Sequence, residues 1–200
     1  MKKILTVLLI GLCSTPMVFG SIVTNTNQSV LYLRFPARNA STDIDAVYYN
    51  PAGVTQLSNG WHFSLNNQTL FQKKTIKNAF PLLNNDSYVS DVRVPVFPSV
   101  FAVYKMNKLA FSFGFGPNAG GGTADYADGL PSFETGLSTL PVYLTGMGLY
   151  TTQYSADISF KGSSIYLGFQ LNASYEINEM ISVAAGLRYI YALNNYEGAI

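Results

Sequence analysis

Only 12% of the 200 residues are charged and the formal net charge is +1, so the chain carries no electrostatic footprint for nucleic acid. That charged fraction is about half the usual ~25% of a globular protein, while aromatics reach 14%, led by 14 Tyr and 13 Phe. Cys13 is the single cysteine, which excludes a disulfide framework and Cys-ligated metal.

The N-terminus reads as a secretory signal peptide over residues 1–20. Lys2 and Lys3 are its basic start, Ile4 to Cys13 its apolar core, and Val18-Phe19-Gly20 precede a cut at Ser21. The apolar run is far shorter than the ~20 residues of a spanning helix, and Leu12 before Cys13 argues against lipid attachment. Residues 21–59 form a separate Asn-, Thr- and Ser-rich segment without a sustained period. Arg34 and Arg38 stand near Asp43 and Asp45, which allows ion pairing within it. The segment contains Asp45-Ala46-Val47-Tyr48-Tyr49-Asn50-Pro51-Ala52-Gly53. Pro51 moves Asn50 out of the helical region and fits the first position of a following turn, which the Asn50 side chain is placed to cap. The spacing predicts a turn through Ile44, Val47 and Tyr48, a break at Asn50, and a second turn from Pro51 toward Leu57. An ordinary Asn-Pro turn in a secreted protein would read the same way.

Residues 60–200 alternate as strands. Trp61, Phe63 and Leu65 against His62, Ser64 and Asn66 give a first strand that fades by Gln72. Lys73 to Pro98 reads as a long polar connection, Ser99 to Lys105 as a second strand, and Met106-Asn107-Lys108 as a tight turn. The third strand sets Leu109, Phe111, Phe113 and Phe115 opposite Ala110, Ser112, Gly114 and Gly116. Gly116, Pro117, Gly120, Gly121 and Gly122 end it, and a second long connection runs to about Gly162. The fourth strand sets Ile165, Leu167, Phe169, Leu171, Ala173 and Tyr175 against Gly168, Gln170, Asn172 and Ser174. A short charged turn over 176–180 follows. The fifth strand then sets Ile181, Val183, Ala185, Leu187, Tyr189 and Tyr191 against Ser182, Ala184, Gly186, Arg188 and Ala192.

The fold class is all-β. Alternation sustained for about ten residues, connections that run long, short, long, short, and a large-apolar face opposite a small-polar one all fit a transmembrane antiparallel β-barrel. Tyr175, Tyr189 and Tyr191 would supply an aromatic girdle. A secreted β-sandwich is the alternative, since its strands alternate too. About five strands are present against the eight of the smallest natural barrels, so the chain is expected to be the N-terminal part of a longer protein.

The span Ala40-Ser41-Thr42-Asp43-Ile44-Asp45-Ala46-Val47-Tyr48-Tyr49-Asn50-Pro51-Ala52-Gly53-Val54, continued through Leu57 and Gly60, resembles the FadL/TodX-type outer-membrane transporters of long-chain fatty acids and other hydrophobic compounds. A weaker likeness runs from Gly162 through the last two strands. The resemblance implies a fourteen-stranded barrel with residues 21–59 folded inside the lumen as a hatch and residues 60–200 forming the first strands. It implies that the corner Asn50, Pro51 and Ala52 packs against an inward kink of the third strand, here at Gly116, Pro117, Gly120, Gly121 and Gly122. Substrate would enter at a groove among outer loops and leave sideways beside the kink, passively, into the outer leaflet of the Gram-negative outer membrane. The loop 123–152 carries Leu130, Phe133, Leu137, Leu140, Val142 and Leu144 for such a groove, although these could equally pack on one another as a small helical cap.

The expected partners are therefore long-chain fatty acids or similar hydrophobic molecules and outer-membrane lipid, with no nucleic acid, no cofactor, no metal and a monomeric state. A structural or adhesive barrel is the second reading. A barrel lipid hydrolase is the third, because His62 and Ser64 share a strand face, but no G-x-S-x-G elbow or paired acid accompanies them. The chain is accordingly read as a non-enzyme.

Overall fold

The computed structural model describes residues 25–200, and the signal peptide expected over 1–20 lies outside the described residues. Five strands, β1 (Gly60–Lys77), β2 (Ser87–Met106), β3 (Leu109–Tyr126), β4 (Ser159–Asn178) and β5 (Ile181–Ala199), form one antiparallel sheet in the order β1-β2-β3-β4-β5. Before the sheet come helices α1 (Val30–Arg34) and α2 (Ala46–Tyr49) and a 3₁₀ segment, Pro51–Gln56. Between β3 and β4 lie α3 (Pro131–Ser138) and α4 (Leu140–Gly146). Among the described residues no helix is long and apolar enough to cross a membrane.

The strands are 18 to 20 residues long, well beyond the run of clear alternation in the sequence. The polar connection expected at Lys73 to Pro98 is mostly strand: β1 continues to Lys77 and β2 begins at Ser87, which leaves only 78–86 between them. Asp91-Val92-Arg93-Val94 does alternate, but Pro95 and Pro98 interrupt the pattern. Prolines are tolerated here because this stretch of β2 lacks a ladder on its β3 side. Likewise Gly116 and Pro117 do not end β3, which passes through the glycine run to Tyr126, so the second long connection is 127–158. β5 extends to Ala199. The short turns are Asn107-Lys108, where Asn107 adopts a left-handed φ of 50°, and Glu179-Met180, where Asn178 Oδ1 accepts the amides of Met180 and Ile181, each at 2.9 Å.

The sheet has an inverted pattern, with many of its large apolar side chains on the bare face and its small and polar ones on the covered face. Register places Ser112 beside Val103 and Asn172, and Asn172 beside Gly186. The neighbouring row runs through Ser64, Phe101, Gly114, Gln170 and Arg188. This small and polar face is the covered one: Ser112, Gln170, Asn172 and Ser174 are all buried. The opposite rows, Phe63–Ala102–Phe113–Leu171–Leu187 and Leu65–Val100–Phe115–Phe169–Tyr189, belong to the bare face. There Phe63 is 72% exposed, Leu171 64% and Leu187 83%. An apolar groove of about 500 Å³ crosses that face between Trp61, Tyr104, Phe111 and Leu171.

Residues 25–57 cover the polar face as a cap segment. Its core is Ala46, Val47 and Val54 packed on Phe101, Val103 and Ala110. Val47 comes so close to β3 that a Cβ on Gly114 would lie 3.1 Å from its Cγ1. The sheet's polar side chains bind the segment's backbone. Gln170 Nε2 and Asn172 Nδ2 donate to Val47 O at 3.0 and 3.2 Å, Ser174 Oγ to Pro51 O at 2.7 Å, and Lys105 Nζ to Leu57 O at 2.7 Å. Internally, Arg38 pairs with Asp45 at 2.6 Å and Asp43 at 2.7 Å, as the local charges allow, while Arg34 takes no part in an ion pair among the described residues. Ser29 and Ser41 also donate to Asp45, at 2.8 and 2.6 Å. Burial alone would raise the Asp45 carboxyl. The bonds from Arg38, Ser41 and Ser29 outweigh it and hold the group below its ordinary range.

Candidate functional site

β2 and β3 pair continuously from Met106↔Leu109 up to Val100↔Phe115, and then not again until Arg93↔Thr123. Residues 94–99 of β2 and 116–122 of β3 therefore face each other without a ladder. The sequence makes this window. Pro95, Pro98 and Pro117 have no N–H to donate, and Gly120, Gly121 and Gly122 hold φ of +72°, +139° and +74°, a conformation that L side chains rarely adopt. β3 stays with β4 through two bulges, at Pro117/Ala119 and Gly120/Thr123, while β2 stays with β1 through one bulge at Gln68/Leu70.

Freed backbone groups at the window find other partners, as buried polar groups must. On the β3 side Gln28 Nε2 donates to Pro117 O at 2.7 Å, Asn25 Nδ2 to the same oxygen at 3.2 Å, and the Asn25 amide to Asn118 O at 2.6 Å. On its other edge, at the bulge against β1, β2 is held by Phe97 N donating to Asn67 Oδ1 at 3.0 Å and Thr69 Oγ1 to Pro95 O at 2.9 Å. The start of the cap segment thus seals the lower part of the opening.

Above it the covered face forms a basin of about 590 Å³, lined by Leu70, Val92, Val94, Phe97, Phe160 and Tyr196 together with the glycine run. Its lining is mainly apolar, and Lys74 is its one cation. Among the described residues Lys74 makes no ion pair.

The structure disperses the residues expected to act together. Asn50 is displaced from helical geometry, at φ −151° and ψ 73°, and Pro51 opens the 3₁₀ segment, as read from the sequence. The Asn50 side chain does not cap that segment. It donates to Ser41 O at 3.0 Å, tying the corner back to its own chain. Asn50, Pro51 and Ala52 border a cleft of about 360 Å³ against Asn172 and Ser182–Gly186, on β4 and β5. The third-strand run Gly116, Pro117, Gly120, Gly121 and Gly122 meets other residues: Asn25 and Gln28 on one side and Phe97, Val92 and Val94 on the other. The Asn-Pro-Ala corner and the β3 irregularity are therefore separate places on the sheet.

Loop residues divide in the same way. The Phe133 ring packs tilted at 40° against Phe160, which lines the basin, with centroids 5.5 Å apart, and Leu130, Leu137 and Leu144 are half-buried. Leu140 and Val142 are exposed, alongside Tyr143, Met147, Leu149 and Tyr150. Loop 127–158 is held to loop 78–86 by a buried carboxylate with no counterpart in the sequence reading. Glu134, 3% exposed, accepts from Asn84 N at 2.9 Å, from Tyr154 OH at 2.6 Å and from Tyr88 OH. Burial pushes its pKa up, but these three donors more than offset that and leave the carboxyl below its ordinary value. Burial and the Glu134 charge push the Tyr154 hydroxyl up to about 12. His62 Nε2 lies 2.8 Å from Ser58 O, and Ser64 Oγ accepts from Asn66 rather than approaching the ring. Comparison with protein-family models, curated proteins and solved structures returns no match for this chain.

Proposed function

We propose that this chain forms part of a FadL-type outer-membrane β-barrel that passes long-chain fatty acids or similar hydrophobic molecules passively, with exit through the β2–β3 window. The observation that carries the reading is the inverted sheet. Each large apolar side chain left in water forgoes about 1.5–3 kcal/mol of burial, and a continuous apolar face of this extent is not left bare by a soluble monomer. In lipid the same face is in its proper solvent.

The height of the apolar band supports this. Along β4, bare-face side chains are apolar from Tyr175 to Ile165, ten residues away. That is about 33 Å along the strand, and about 25 Å once tilted as strands in barrels are, the apolar height of outer-membrane barrels. Charges mark its upper border: Lys73 faces Asp91, and Asp125 faces Lys161, which faces Glu197. In this reading the cap segment is the hatch, the basin is a lumenal ligand pocket, and the window gives that pocket a sideways route into lipid. Catalysis has no part in it.

The test is uptake of radiolabelled oleate by cells that lack their own importer and express the full-length protein. Saturable uptake is expected. An assembled barrel that imports no oleate would overturn the reading in favour of an adhesive or structural barrel.

A further inference from the structure

The window has two seals of different chemistry. Below, Asn25 and Gln28 close it with hydrogen bonds to Pro117 O and Asn118 O. Above, no hydrogen bond among the described residues crosses between residues 94–99 and 119–122, and the closing element is a side chain. Phe97 stands in the unladdered stretch of β2, is 5% exposed, and packs with Val92, Val94 and Ala124. Its ring reaches across to β3: a Cβ on Gly121 would lie 3.3 Å from Cε2 of the ring. The missing side chain at Gly121 is what gives the ring room.

We infer that the Phe97 ring resting on Gly121 is the size filter between the basin and the bare face. It rests on the transport reading above and assigns that route a specificity-determining residue. The Phe97 backbone is fixed by its bond to Asn67 Oδ1, whereas the ring packs on Val92, Val94 and Ala124 and has no hydrogen-bonding atom of its own. A change of χ1 therefore opens the upper window without breaking a sheet hydrogen bond or leaving a polar group unpaired. The passage so formed is as wide as one phenyl ring, which suits an unbranched hydrocarbon chain and rejects a fused-ring terminus. Opening the lower seal instead would strip two backbone carbonyls of their donors, so the apolar half is the cheaper one to move.

The experiment compares uptake of oleate and of a pyrene-terminated dodecanoate by cells expressing the full-length protein. Phe97→Ala, Phe97→Leu and Phe97→Trp are compared with wild type, with barrel assembly checked by heat-dependent gel mobility. Phe97→Ala is expected to raise the pyrene-to-oleate uptake ratio roughly tenfold, the scale on which an apolar passage discriminates size, and Phe97→Leu to raise it less. Phe97→Trp is expected to slow oleate uptake while oleate still binds the purified protein. A ratio that moves by less than about twofold in both assembled smaller variants, with wild-type oleate uptake intact, overturns the filter alone. If wild type imports neither probe, the transport reading falls and the filter falls with it. Should Phe97→Ala fail to assemble, Phe97→Leu carries the same decision.

Discussion

The lower and upper halves of the sheet are built on opposite terms. Below Gly116 the five strands keep register except for one shift at Glu176/Asn178 beside the β4–β5 turn, and the covered face is filled by α2 and the 3₁₀ segment, with Val47 O and Pro51 O bound by side chains of β4. Above it β2 and β3 part, the cap segment gives way to an open basin, and order is carried by a latch between loops. The lower half spends its polar groups on rigidity. The upper half keeps backbone free of ladder bonds, at the window proposed above as the exit.

Substitutions can break this contrast. The largest effect is expected at Asp45→Ala, which leaves the Arg38 guanidinium, 11% exposed, without its main partner. Removing one member of a buried pair costs about 3–5 kcal/mol, and hydrogen exchange should rise across residues 25–57 while β4 and β5 stay protected. Leu171→Lys addresses the bare face. At the mid-height of a lipid-facing barrel it should cost about 2–4 kcal/mol in vesicle unfolding, whereas on a water-facing strand it would change little. In the upper half, Glu134→Gln should loosen the loops by about 1–3 kcal/mol, because one carboxylate oxygen becomes a donor facing donors. The readout is faster exchange over 78–86 and 127–158 with the lower rows unchanged.

Acid gives the same latch a signed test. The folded Glu134 pKa lies below the ordinary carboxylate value, so its contribution is complete above about pH 4.3 and is lost as pH falls through the depressed value. Loop exchange should therefore be flat from neutral pH down to about 5 and rise only in stronger acid. The smallest effect is expected at Pro51→Ala. The Pro51 carbonyl that Ser174 binds is retained, and only backbone pre-organisation is lost, about 0.4–1 kcal/mol.

Much of the lower half was legible in the sequence. The faces of β3, β4 and β5 follow from strict alternation, and the break between α2 and the 3₁₀ segment follows from Asn50-Pro51. The upper half was not, for physical reasons. Pro98 and Pro117 read as strand boundaries, and Pro95 as part of a connection, because proline removes a ladder donor, yet a strand bordering a window has no ladder to lose on that edge. Gly120, Gly121 and Gly122 read as a breaker, although bulges let β3 continue beside β4. Gly120 is also a poor place to obstruct the proposed route, since a Cβ there would meet Ser164 O at 2.1 Å. Phe97 lay inside a stretch taken for a polar connection. Asn25, Gln28 and Glu134 act through contacts distant in sequence, which no local pattern encodes.

The central claim is that the apolar face of this sheet meets lipid while the polar face looks inward. Nitroxide scanning of residues 165–175 in the full-length protein reconstituted in vesicles tests it most directly, reading oxygen against a water-soluble nickel reagent. Ile165, Leu167, Phe169, Leu171, Ala173 and Tyr175 should be open to oxygen and closed to nickel, while Gln170, Asn172 and Ser174 are shielded from oxygen. Nickel access along the odd-numbered set, or no alternation between the two sets, would contradict the account.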